Sequence, residues 1–193
     1  DKNAILLISK DNEIFNTSYL NIAMGYRPDV TVINMSHLFD GKRYKNIQKY
    51  HPDLLFPAKT DAEFDQEFIK LNAKKRPIYT NSSFAMRDNY VWVREGLLYK
   101  LYKKDNLPSE KAILQRNDDK WNAYIDPYEG SLRSYKHLML ASNLLLYRIY
   151  RTETADYFFA GKDFAGAERH YKAAIRYDDS DVKLFQRLAA SQM

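Results

Sequence analysis

Three polar stretches each follow a short apolar run of strand type: Ser9–Glu13, Asn34–His37 and Asn81–Ser83. If those runs are parallel strands of one sheet, their carboxyl ends meet along one edge, where open α/β sheets collect their ligands. That edge would carry Ser9, Asp11, Asn12, Asn34, Ser36, His37, Asn81 and Ser82. Hydroxyls, amides and an imidazole can hold a sugar or a peptide loop through hydrogen bonds. A second reading stands beside it: Asp11 and Asn12 cap a helix, while Asn34 and Asn81 end strands. No catalytic set is visible. His37, His51, His137 and His170 lack metal-ligand spacing, so no metal is expected. Asp118 and Asp119 are adjacent, which suits a solvated turn better than acid/base work. No Gly-rich turn follows the first apolar run, and Asp11 and Glu13 would repel a phosphate from the helix that follows. No cofactor is expected.

The elements that position this edge begin with Ala4–Leu38. Ala4–Ile8 reads as a strand, and Asp11 or Asn12 can cap the helix after it. Phe15, Tyr19 and Ile22 recur at helical spacing, which predicts a buried apolar face. Gly25 suits the position past a helix end, Pro28 blocks further helix, and Val30–Met35 is again of strand type. So short a β-α-β return must be parallel and right-handed. Arg27 and Asp29 flank Pro28 and can pair across the turn or touch a ligand.

Lys42, Arg43, Lys45 and Lys49 lie on a short basic helix or turn, read either as a solvated face or as a phosphate or membrane contact. Thr60 and Glu63 have capping-box spacing before a helix with Phe64, Phe68 and Leu71 as its buried stripe. Pro77–Thr80, Val91–Val93 and Leu97–Tyr102 read as strands, with Gly96 a bend and one strand antiparallel at the sheet edge. The predicted architecture is a small α/β domain over 1–105, mainly parallel with an antiparallel edge. An ordered connector over 106–130 follows, then an all-α region of helical hairpins over 131–193, opened by a cap at Ser131.

Composition bounds the rest. The chain has 193 residues, 45% of them hydrophobic, which suffices for a core. Its net charge of +5 is spread among mixed signs, so no nucleic-acid partner is expected. Sixteen tyrosines fit half-buried and interaction surfaces, and the absence of Cys removes disulfides and thiolate chemistry. Leu138–Ile149 contains Asn143 and Arg148 and falls short of the ~20 residues of a membrane span, so the chain reads as soluble.

Two stretches carry family resemblances. SKDNEIFNTSYLNIAMGYRPDVTVINMSHL resembles the segment after the last membrane span in a bacterial family of polytopic proteins related to protein O-mannosyltransferases. The matching positions are Asp11, Asn12, Glu13, Tyr19, Tyr26, Arg27, Pro28, Asp29, Val30 and Asn34; Lys10 and Glu13 stand where Gly and Asp are more usual. The resemblance implies the tail of a membrane glycosyltransferase-like protein using a lipid-linked sugar, attached through spans upstream and placed on the periplasmic face of the inner membrane. The tail itself would not be catalytic.

GKDFAGAERHYKAAIRYDDSD resembles the tetratricopeptide repeat. Ala155, Phe158, Ala167, Tyr171 and Ala174 hold its small and aromatic packing positions, and Asp179 stands where a helix-ending Pro is typical. Phe185 and Leu188 restart the pattern and should press on the preceding helix, giving about one and a half repeats. Such a repeat implies protein partners, and an uncovered last helix implies an apolar strip able to drive dimers. The function expected from these resemblances is an extracytoplasmic accessory domain that positions acceptor or partner proteins. The alternative is an independent small ligand-binding or enzymatic α/β domain fused to a repeat module.

Overall fold

A computed structural model describes residues 1–39, 43–59, 62–124 and 138–192, with only the backbone at 39 and 138–143. The expected caps at Thr60 and Ser131 lie outside the described residues, as do Lys42 and His137. The chain divides into two compact units, one of Asp1–Val93 with Leu98–Leu107 and one of Arg94–Leu97 with Pro108–Met193.

The first unit is an α/β domain. The sheet's five strands are β1 (Ile5–Ile8), β2 (Thr31–Asn34), β3 (Ile78–Thr80), β4 (Tyr90–Glu95, whose last two residues fall in the second unit) and β5 (Leu98–Lys103), in the order β2-β1-β3-β5-β4. β1 runs parallel to both β2 and β3, pairing Ile5 with Thr31 and with Ile78. β5 is antiparallel to β3, with Tyr79 opposite Lys100. The sheet is mixed: β2, β1 and β3 are parallel as expected, and the antiparallel edge is the β4–β5 hairpin, not a single strand. Helices α1 (Asp11–Ser18), α2 (Ser36–Phe39), α3 (Tyr44–Tyr50) and α4 (Phe64–Ala73) belong to this unit.

Alternation along β1 sends Ile5 and Leu7 into a core with Ile33, Met35, Leu38, Ile47, Phe64, Phe68, Ile69 and Ile78. Each such side chain contributes about 1.5–3 kcal/mol through burial. Leu71, expected in the α4 stripe, is only half-buried; Ile69 and Asn72 take the inward positions. Asn72 donates to the Leu55 and Phe68 carbonyls and accepts from Leu55 N–H at 3.0 Å, so a buried amide fixes the preceding loop. Arg76, also buried, binds Asp53 at 2.7 Å, Thr31 Oγ1 at 2.7 Å and the carbonyls of Asn3 and Ala4.

The second unit is helical: α5 (Glu110–Ala123), α6 (Leu138–Ala160), α7 (Phe164–Tyr177) and α8 (Val182–Ser191). Most of the described part of the expected connector is α5, capped by Ser109, which accepts from Ala112 N–H. Buried Asn117 on α5 accepts from Gly96 N–H at 2.9 Å and donates to the Arg94 carbonyl at 2.8 Å. Gly96 has φ +67°, and a Cβ there would lie 2.5 Å from Tyr124 Oη, so the tight hairpin tip needs glycine on both counts. Arg94 has no exposed surface, pairs with Glu153 and lies 4.3 Å from the Tyr150 ring centroid.

α6 and α7 form an antiparallel hairpin through Gly161 and Lys162, and Asp163 caps α7 by accepting from Gly166 N–H at 2.9 Å. Ala155, Phe158, Ala167, Tyr171 and Ala174 form one buried cluster with Leu184 of α8. Phe185 does not press on α7 as expected: it is 46% exposed, and Leu184 holds the inward place while Leu188 is half-buried. The reason is helix start. Asp181 caps α8, accepting from Lys183 N–H at 3.0 Å, and that start sets Leu184, Leu188 and Ser191 on the inner face.

Candidate binding surface

The parallel order β2-β1-β3 brings the strand-end polar residues to one edge, where two hydrogen-bonded clusters form around Asn81 and Asn34. Asn81 is 2% exposed; its Oδ1 accepts from Ser9 N–H at 3.0 Å and Ser9 Oγ at 3.1 Å. Its Nδ2 donates to Glu13 Oε2 at 2.7 Å. One strand over, Asn34 Oδ1 accepts from Ser36 N–H at 3.0 Å and Ser36 Oγ at 2.8 Å, an Asx turn that opens α2. Ser82 N–H donates to Thr80 Oγ1, and His37 is half-buried on α2. Glu13 joins the rim through Asn81, a partner 68 residues away that local sequence cannot reveal.

Asp11 and Asn12 are exposed and cap nothing. The helix starts earlier than expected: Lys10 is its N-cap and Asp11 its first residue, so Asp11 acts only as a negative charge near the positive helix end.

Asn81→Ala would strip Ser9 N–H and Glu13 of buried partners. We expect it to cost about 1–3 kcal/mol, read as a lowered urea midpoint with an unchanged slope. A shift below about 0.5 kcal/mol would mean that water replaces the amide.

The helix following the rim has its faces reversed from expectation. Phe15, Tyr19 and Ile22 are not buried: they are 70%, 61% and 79% exposed, and only Ile14 of α1 reaches the core. The inward positions are half-buried Thr17, Ser18 and Asn21. Asn21 explains the reversal, because its Nδ2 donates to the carbonyls of Tyr26, Arg27 and Val30 and ties the π-helical turn at Tyr19–Ala23 to the loop before β2. Leu20, Met24 and Tyr26 are also exposed, and no charged residue occurs between Glu13 and Arg27. Phe15, Tyr19, Leu20, Ile22, Met24 and Tyr26 thus leave apolar side chains exposed along one uncharged segment.

The segment is anchored at its far end by Arg27, whose guanidinium grips Asp29 through two bonds of 2.8 and 2.9 Å and donates to the Asp1 carbonyl at 2.6 Å. The Arg27 hydrogen bond, with Asn3 N–H, holds the Asp29 carboxyl below the usual carboxylate range.

The chain matches no protein-family model, no curated protein and no solved structure. Among the described residues no group of three or more His, Asp and Glu could hold a metal ion. No described helix is long and apolar enough to cross a membrane.

Proposed function

We propose that this chain is an extracytoplasmic, non-catalytic binding domain of a membrane-embedded glycosyltransferase-like protein, and that it positions acceptor or partner proteins. The observation carrying this reading is the outward apolar segment Phe15–Tyr26, exposed and uncharged beside a polar rim in which Asn81 and Asn34 are already paired. Tyr19 and Tyr26 of that segment, with Asp11–Glu13 before it and Arg27–Val30 after it, are positions that carry the resemblance to the segment after the last membrane span of that family. A surface that apolar is covered in the working protein, and its occupant in this reading is the membrane-embedded part upstream. The helical hairpin takes the role of a repeat-type docking module. Exposed Val182 and Phe185 on α8 also supply a strip for self-association of the isolated chain.

The test uses the full-length protein in cells. Phe15→Ser with Ile22→Ser replaces two exposed side chains, so the isolated chain keeps its fold and its urea midpoint within about 0.5 kcal/mol. Glycosylation of native acceptors should fall at unchanged protein level. Unchanged glycosylation would remove the segment from function, and sugar transfer by the purified chain alone would overturn the non-catalytic reading.

A further inference from the structure

At the opposite edge of the sheet from the rim, where β1 and β3 begin and β5 ends, the first unit carries a cleft of about 470 Å³. That size lies within the ~300–1,000 Å³ of sites that hold small ligands. Lys74, Lys75, Lys100 and Lys103 line it, with half-buried Tyr90 and Tyr102. Asp1 supplies the lining's one carboxylate, which accepts from Lys100 Nζ at 2.5 Å and from Tyr79 Oη at 2.9 Å. Arg76 also borders the cleft, but Asp53, Thr31 and two carbonyls already engage it.

Lys74, Lys75 and Lys103 are exposed and pair with no acid among the described residues. Lys74 and Lys75 follow the last turn of α4, where a cation suits the helix dipole. That reason does not extend to Lys100 and Lys103, which stand on β5. Like charges gathered in a concavity repel one another, and the potential there draws in anions. Several ammonium groups lining one cleft favour a multiply charged anion, and lysine serves phosphate as a point charge.

We infer that this cleft binds a phosphate group, with Lys74, Lys75 and Lys103 as its charge partners and Tyr90 and Tyr102 as the wall for the body attached to it. Two sources carry that chemistry: a soluble phosphorylated small molecule and a phospholipid headgroup. The inference does not rest on the function proposed above.

Titration of the purified chain with pyrophosphate, followed by calorimetry at low ionic strength, tests the soluble source. Co-sedimentation with phosphatidylglycerol vesicles, against phosphatidylcholine vesicles, tests the lipid source. In whichever arm binds, the triple variant Lys74→Gln, Lys75→Gln, Lys103→Gln should weaken binding about tenfold or more, and added salt should weaken the parent chain's binding. An equal change of charge elsewhere, Lys45→Gln with Lys49→Gln and Lys111→Gln, should change it less than about twofold if the cleft and not bulk charge is responsible. These are surface changes, and circular dichroism checks that each variant is folded; Lys74→Arg with Lys75→Arg should retain binding. Pyrophosphate binding that needs the cleft lysines assigns a soluble ligand. Vesicle binding alone with the same dependence assigns a headgroup. No binding in either arm, or equal losses in the two triple variants, overturns the site.

Discussion

Phe158→Ala should cost the helical unit about 3–5 kcal/mol, the usual penalty for deleting a fully buried aromatic ring. Phe158 is 2% exposed, lies 4.9 Å from the His170 ring and packs among Ala155, Ala167, Tyr171 and Ala174. Ala155, Ala167 and Ala174 are too short to fill the space the ring would leave. The same ring makes Gly166 irreplaceable by anything larger. A Cβ at Gly166 would lie 2.1 Å from Phe158 Cδ1, 2.7 Å from Phe158 Cε1 and 2.9 Å from Asp163 Oδ2.

Gly166→Ala gains up to about 1 kcal/mol of helix propensity and loses about 1–3 kcal/mol or more to overpacking, so the net change is destabilising. Because both changes act on one contact, Gly166→Ala should cost less in a Phe158→Leu background than alone. Each unit holds one tryptophan, so a Trp92→Phe background leaves Trp121 on α5 to report urea unfolding of the helical unit. A Gly166→Ala midpoint at or above that of the parent would show that the ring is free to move.

The second large effect is on pH. His170 is 1% exposed, and its Nε2 lies 2.9 Å from Asp118 Oδ1. In the neutral ring that nitrogen donates to the carboxylate, leaving Nδ1 buried without a hydrogen-bond partner. Burial, reinforced by the Arg151 charge and opposed by Asp118, lowers the imidazole from its ordinary 6.5 to about 4. The folded state therefore holds the ring neutral where the unfolded chain would protonate it.

Above pH 6.5 both states are neutral and the stability is fully present. As pH falls from there through about 4, the unfolded state binds the extra proton and stability drains away. Between about pH 7 and about pH 4.5 the parent should lose about 2–3 kcal/mol more than His170→Gln, which keeps a donor toward Asp118 but cannot titrate. Denaturation followed at Trp121 across that range measures it. Parallel pH profiles for the two proteins would show that the ring reaches water.

The sequence by itself located all five strands to within a residue or two. Their apolar, β-branched runs are local signals, and Gly and Pro punctuate them locally too. The resemblance of the later stretch to the tetratricopeptide repeat pointed to Ala155, Phe158, Ala167, Tyr171 and Ala174, which form the buried cluster of the α6–α7 hairpin. The sequence also assembled the polar rim, since parallel strands that share a direction must share an edge.

Tertiary structure decided what those residues do. A helical period shows which side chains share a face, not which face turns inward, and Asn21's bonds to three carbonyls set α1 with Phe15, Tyr19 and Ile22 outward. A cap one residue earlier or later rotates a helix by about a quarter turn, which moved the α1 cap to Lys10 and exchanged Leu184 for Phe185. The pairing of Asn81 with Glu13, the buried settings of Arg94 and His170, and the lysines gathered around one cleft each join segments far apart in the chain. Such contacts arise only when the sheet and the hairpin close, and local pattern holds no record of them.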